Sequence, residues 1–147
     1  MAAEFGDIDL FDHLVARGAK PSQNNALHFA CRSENAVAMI THLITVYHFD
    51  VNASDECGGL NELPQWGSPL NYAMQFSNLP AAETLLKYGA DIGDACRVPI
   101  ASKNTPIVKL LLDNGADPSE ALGNAIVNDY LEGCQLCLEQ NMAVILL

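Results

Sequence analysis

A phrase recurs along this chain: two adjacent aliphatic residues, two residues more, then Gly-Ala. Leu85-Leu86 leads to Gly89-Ala90-Asp91, Leu111-Leu112 leads to Gly115-Ala116-Asp117, and Leu14-Val15 leads to Gly18-Ala19. The spacing repeats as well. Leu70 to Leu85, Cys96 to Leu111 and Leu122 to Cys137 are each 15 residues apart, and Gly89 to Gly115 is 26. Self-similarity at a period of roughly 20 to 50 residues marks a stack of helical units. A single helix pair cannot bury its apolar face alone, so each unit must lean on its neighbours.

A second phrase, Gly67-Ser68-Pro69-Leu70-Asn71-Tyr72-Ala73, precedes the first by a fixed interval, and the two together resemble the ankyrin repeat. In that family Thr-Pro-Leu-His-x-Ala-Ala opens the first helix and Val-x-x-Leu-Leu-x-x-Gly-Ala closes the second. Asn25-Ala26-Leu27-His28-Phe29-Ala30-Cys31 and Ser68 to Met74 match the opening well. Asp94 to Ile100 and Glu120 to Ile126 are degenerate copies. The resemblance implies an all-α ankyrin-repeat solenoid of four to five units, one domain over 1–147. Its parts are a partial N-terminal unit at 6–20, then 21–52, 53–93, 94–117, and 118–142 with an apolar tail. Residues 6–20 supply a second helix without a first in good register. An ordinary repeat is about 33 residues, so the last two units lack most of the finger hairpin, while the finger between Asp50 and Ser68 is enlarged.

Local chemistry agrees with this frame. Pro69 fits a first helical turn, where no N–H is needed, with Ser68 as N-cap. Gly89 and Gly115 suit left-handed helix C-caps, and Pro106 starts a helix capped by Asn104 or Thr105. Pro99 falls inside the third unit's first helix, where it costs on the order of 3 kcal/mol; that helix should be short, displaced or kinked.

Half of the residues are apolar and 17% are charged, which describes a globular chain. Seven basic against eighteen acidic residues give a net charge of −11. Nucleic acid is thereby disfavoured, since its phosphates need Lys and Arg. The acidity favours a neutral or basic protein partner, or simply keeps the chain soluble. No stretch approaches the ~20 apolar residues of a membrane span, and the acidic N-terminus lacks the features of a secretory signal. The expectation is a cytoplasmic protein.

Catalytic and metal chemistry find little support. Cys134 and Cys137 form a CxxC pair, but both fall at core positions of the frame, as do Cys31 and Cys96, and no second pair supplies the further ligands of a zinc site. Only Cys57, in the enlarged finger, should be exposed. His28 matches the family histidine that ties fingers together through backbone hydrogen bonds. Asp9, Asp12 and His13 lie close on one helix and read as solvated. No spacing forces a nucleophile, a base and an orienting carboxylate together. Cys57-Gly58-Gly59 lacks the helix and lysine of a phosphate loop, and Asn52-Ala53-Ser54 is a glycosylation sequon by pattern only. The expectation is no enzyme, no cofactor and no metal.

In ankyrin proteins the ligand surface is the concave side, made by finger residues before Thr-Pro-Leu and by the two residues after Ala-Ala. The resemblance carries this to Asn24, Gln65 and Trp66 on fingers, and to Arg32, Ser33, Gln75, Phe76, Ala101, Ser102, Val127 and Asn128 beside first helices. The implied function is protein binding through that surface. Two alternatives are self-association through the apolar end, Met142 to Leu147, and an enzyme with a site in the groove. The apolar end should lie against the last helix pair or a second copy, because four large aliphatic side chains are worth several kcal/mol when buried, at ~25 cal/mol per Å2.

Overall fold

The computed structural model describes residues 2–21, 23–53, 67–93 and 95–145; the side chains of residues 23, 24, 144 and 145 lie outside the description. The expected exposure of Cys57 and most of the enlarged finger therefore fall outside the described residues, as do the last two residues of the tail. Among the described residues all regular structure is helical: α1 (Ala2–Phe5), α2 (Ile8–Ala16), α3 (Gln23–Ala30), α4 (Ala36–Thr45), α5 (Pro69–Gln75), α6 (Leu79–Lys87), α7 (Arg97–Ala101), α8 (Thr105–Asp113), α9 (Pro118–Val127) and α10 (Leu131–Ile145). The chain divides into two compact units, Met1–Asp91 with α1 to α6 and Ile92–Leu147 with α7 to α10.

In the first unit α1, α3 and α5 pack in succession and α4 packs on α6, with a tight turn joining the helices of each pair. Leu27, Ile40, Leu43, Leu70, Met74 and Leu85 are fully buried between these helices. Each contributes about 1.5–3 kcal/mol relative to exposure. The expected start signals hold: Ser68 accepts a hydrogen bond from the Asn71 N–H, with Pro69 opening α5. Gly18 and Gly89 follow helix ends at φ +93° and +87°, a region closed to most side chains.

The N-terminal unit differs from expectation. Residues 6–20 do have a first helix before them: α1 is a single turn that packs on both α2 and α3. It was not legible because it carries none of the opening phrase. Gly6 at φ +68° reverses the chain, and Asp7 then caps α2 by accepting from the Leu10 N–H at 2.9 Å.

In the second unit α7 packs on α9 and α8 on α10. Pro99 has the expected effect. Helix α7 is only five residues long and starts at Arg97, which leaves the proline in the first turn, where a missing N–H breaks no bond. Asn104 caps α8 by accepting from the Ile107 N–H. The short finger between α8 and α9 has a simple cause. Asp117 of the Gly-Ala-Asp phrase is itself the N-cap of α9, with Pro118 directly inside the helix.

The turn between paired helices repeats in conformation even where sequence does not. Ser77, Lys103 and Asp129 all take left-handed φ of 50–55°, and they stand 26 residues apart. The chain's end differs from the frame, which closes the last unit at Asn141 and Met142. Helix α10 runs through both to Ile145, because no glycine stands there to form a left-handed cap. Met142 is exposed on it, so this part of the tail is not packed against the last pair.

Candidate protein-binding surface

The first unit gathers three of the expected surface residues. Gln75 ends α5 and Phe76 is its C-cap, both exposed at the turn into α6. Arg32 lies in the turn after α3, and its guanidinium sits 5.7 Å from the centroid of the Phe76 ring. Phe76 is 38% exposed and the Arg32 side chain 57%. Glu4, from α1, holds the same guanidinium from another side, with Oε1 3.1 Å from Nη1. Three consecutive helix pairs thus each supply one side chain to a single exposed patch. Cation–π and ion-pair contacts at exposed sites are each worth about 0.2–1 kcal/mol. Their main effect here is to fix the arginine over the aromatic face.

Behind the patch the rings continue inward. Tyr72 is 6.3 Å from Phe76, and His28 meets Tyr72 edge-on at 4.9 Å. His28 Nε2 lies 2.9 Å from the Gly67 carbonyl oxygen, the finger tie that the resemblance implies. Tyr72 thus links the exposed Phe76 ring to the buried His28.

The remaining site residues separate. Ser33 is 3% exposed, and its Oγ accepts from the Asn35 N–H at 3.0 Å. Its hydroxyl is thus taken up within the turn. The Asn24 side chain, Gln65 and Trp66 lie outside the described residues. In the second unit Ala101 and Val127 are exposed. The Ser102 hydroxyl donates back to the Val98 carbonyl at 3.1 Å, and the Asn128 amide donates to the Asn124 carbonyl at 2.8 Å. Both polar groups are already bonded within their own turns.

Sequence reasoning missed three connections. Glu4 was not associated with Arg32. Asn78, N-cap of α6, also donates its amide to the carbonyls of Cys31, at 2.9 Å, and Ser33, at 3.3 Å. The signal for it was present: Asn78 and Asn104 occupy the same position one 26-residue period apart. Asp12, read as solvated, accepts from His42 Nε2 and the Tyr47 hydroxyl, both at 2.7 Å.

Those bonds, His42 first and Tyr47 second, lower the Asp12 pKa from its ordinary value. A carboxylate whose folded pKa lies below its unfolded one, about 3.9, stabilises fully above that value and loses the contribution as pH falls through the folded pKa. The Asp12 side chain is 44% exposed, so solvent screening limits the effect. Asp12→Asn is expected to cost about 0.5–1 kcal/mol at pH 7. Urea titrations below pH 4 should show parent and variant converging; a gap that persists there would mean the carboxylate charge is not involved.

The thiols bear on chemistry in the other direction. Cys31 and Cys137 are fully buried and Cys96 nearly so, while Cys134 is half-buried rather than core-facing as the frame had it. Burial raises the pKa of Cys31 strongly, pushes Cys96 up to about 12 and raises Cys137. A thiolate, the form that attacks or binds metal, is disfavoured at each. Among the described residues no three His, Cys, Asp or Glu side chains converge to hold a metal ion. No described helix is long and apolar enough to cross a membrane.

A family model for ankyrin repeats, three copies, matches residues 1–96. Three helix pairs, α1/α2, α3/α4 and α5/α6, occupy that stretch. No curated protein matches the sequence. Ankyrin repeats generally serve as protein–protein interaction modules and are typically non-enzymatic. With the matched repeats and the stacked helix pairs in agreement, the chain belongs to the ankyrin-repeat family.

Proposed function

We propose that this protein is a non-catalytic module that docks another protein on the Arg32–Phe76 surface of its first unit, the concave side of the repeats. The observation that carries this reading is the guanidinium held over an exposed aromatic ring by a carboxylate from a third helix pair. Arginine and large aromatic side chains supply much of the energy of protein interfaces. A side chain already ordered before binding loses less entropy when the partner arrives. The enlarged finger, with Gln65 and Trp66, adjoins this surface in sequence, and we assign it to the same interface. Ser102 and Asn128 form at most a secondary contact.

The partner's surface is neutral or basic. Arg32 is neutralised by Glu4 and the chain carries −11 overall, so an acidic partner would be repelled. The cytoplasm is the setting that suits five cysteines of which four are free thiols in the described residues.

The test begins with the intact protein as bait in its native extract, followed by affinity measurements with the purified partner. Phe76→Ala is expected to weaken binding by at least ~2 kcal/mol, roughly 30-fold. Its fold should persist, since the ring is partly in water. Equal affinity for parent and variant overturns the reading.

A second reading rests on a separate observation. Leu131, Leu138 and Met142 are exposed and lie on one face of α10, at intervals of seven and four residues. Self-association through this face is the alternative, and a single monomeric species in sedimentation at micromolar concentration removes it.

A further inference from the structure

Helix α1 is a single turn, and its buried residues are Ala2 and Ala3. On this side the two residues present only methyl groups to their neighbours. Protein interiors are normally filled to crystal-like density. Here a cleft of about 330 Å3 remains, walled by α1, α2 and α3. Phe11, Leu14, Val15 and Phe29 line it, so its surface is mostly apolar, with Asn25 on the α3 wall. Lys20, exposed in the segment between α2 and α3, lines it as well. Lys20 makes no ion pair or hydrogen bond among the described residues. An ammonium with no partner among the described residues stands out in a chain with only seven basic residues against eighteen acidic ones.

These features select a ligand. Small-molecule sites begin at roughly 300 Å3 and combine apolar walls with very few polar groups. At roughly 30 Å3 for each atom the size of a water oxygen, the cleft takes about ten to twelve non-hydrogen atoms. Nucleotides and sugars do not suit it, because their many polar groups would be buried against alanine and phenylalanine without partners. A plain hydrocarbon would leave the lysine unused. We propose that the cleft binds an aliphatic monocarboxylate of about eight to ten carbons, with its chain among α1, α2 and α3 and its carboxylate on the Lys20 ammonium. This site is independent of the Arg32–Phe76 surface.

Calorimetric titration of the full chain with butyrate, octanoate, decanoate and decanol, each below its micelle or solubility limit, tests it. Octanoate and decanoate are expected to bind one per chain, the affinity rising about three- to fourfold per added methylene until the cleft is full. Lys20→Gln should weaken decanoate about two- to fivefold, as for an exposed ion pair, and leave decanol unchanged. Ala26→Leu, at a half-buried wall position, should plug the cleft and remove binding of both; Ala3→Leu is a second plug should the first not fold. Absence of saturable binding overturns the proposal. So does an affinity independent of chain length, or a Lys20→Gln effect equal on decanol and decanoate. Should decanoate fail to bind while Ala26→Leu weakens a protein partner, the cleft receives a partner's side chain and the proposal falls.

Discussion

Replacing Asn78 by alanine is expected to lower the stability of the first unit by about 2–4 kcal/mol, far more than loss of a helix cap alone. Its Oδ1 caps α6 by accepting from the Ala81 N–H at 3.1 Å. Removing such a cap costs about 0.5–2 kcal/mol. Its Nδ2 donates to the Cys31 and Ser33 carbonyls of the preceding helix pair, and both residues are buried. Buried acceptors stripped of their donor cost about 1–3 kcal/mol more. One amide thus closes a helix and joins it to its neighbour. The second unit holds a built-in control. Asn104 stands one period later, caps α8 through the Ile107 N–H, and has no other side-chain bond among the described residues. Asn104→Ala should therefore cost only ~1 kcal/mol. Asn78→Asp refines the test, since it keeps the cap but replaces the donor with a carboxylate facing two carbonyl oxygens; it should be at least as harmful as alanine. Urea unfolding of the four proteins measures this. Equal losses at Asn78 and Asn104 would show that the bridge to the preceding pair has no weight.

That comparison indicates what a sequence of this kind discloses. Caps, prolines and left-handed glycines act within a few residues, so Ser68 with Pro69, Gly89 and the shortening of α7 by Pro99 were legible in one dimension. Helix direction was legible too, because the 15-residue interval fixes which leucines face inward. Contacts between successive helix pairs were not. Asp12 is 30 residues from His42, Glu4 is 28 from Arg32, and Asn78 is 47 from Cys31. No local spacing marks such pairs; they follow only once neighbouring helices are stacked at a particular height. The same limit explains Ser33. The repeat frame places it two residues beyond the alanines, on the ligand side. The frame does not carry the turn of 31–35, which rotates the hydroxyl toward the Asn35 N–H. Helix α1 escaped notice for a different reason. Four residues hold too little periodicity to stand out, and this turn is stabilised by packing on α2 and α3 rather than by its own sequence.

Gly6→Ala is expected to be the most harmful substitution among the described glycines of the first unit, at about 2–4 kcal/mol. Two separate costs meet at this position. The backbone is at φ +68°, where an L side chain is strained by about 1–2 kcal/mol. A Cβ there would also collide with the Ser33 hydroxyl and lie 2.7 Å from the Asn35 Cβ. Overpacking of that kind costs a further ~1–3 kcal/mol. Neither neighbour yields easily. Ser33 is buried and bonded to the Asn35 N–H, and Asn35 donates its amide to the Gly6 carbonyl at 2.9 Å. Gly89 isolates the first cost: it sits at φ +87°, and a methyl group added there would meet nothing within 4 Å. Gly89→Ala should thus show the strain alone, and the excess at Gly6 measures the close approach of the first helix pair to the second. Because α1 leads directly into Gly6, the displaced turn should also draw Glu4 from Arg32, making Phe76 more mobile as well as the unit less stable. A Gly6→Ala variant no less stable than Gly89→Ala would mean that the first two pairs do not meet at this glycine.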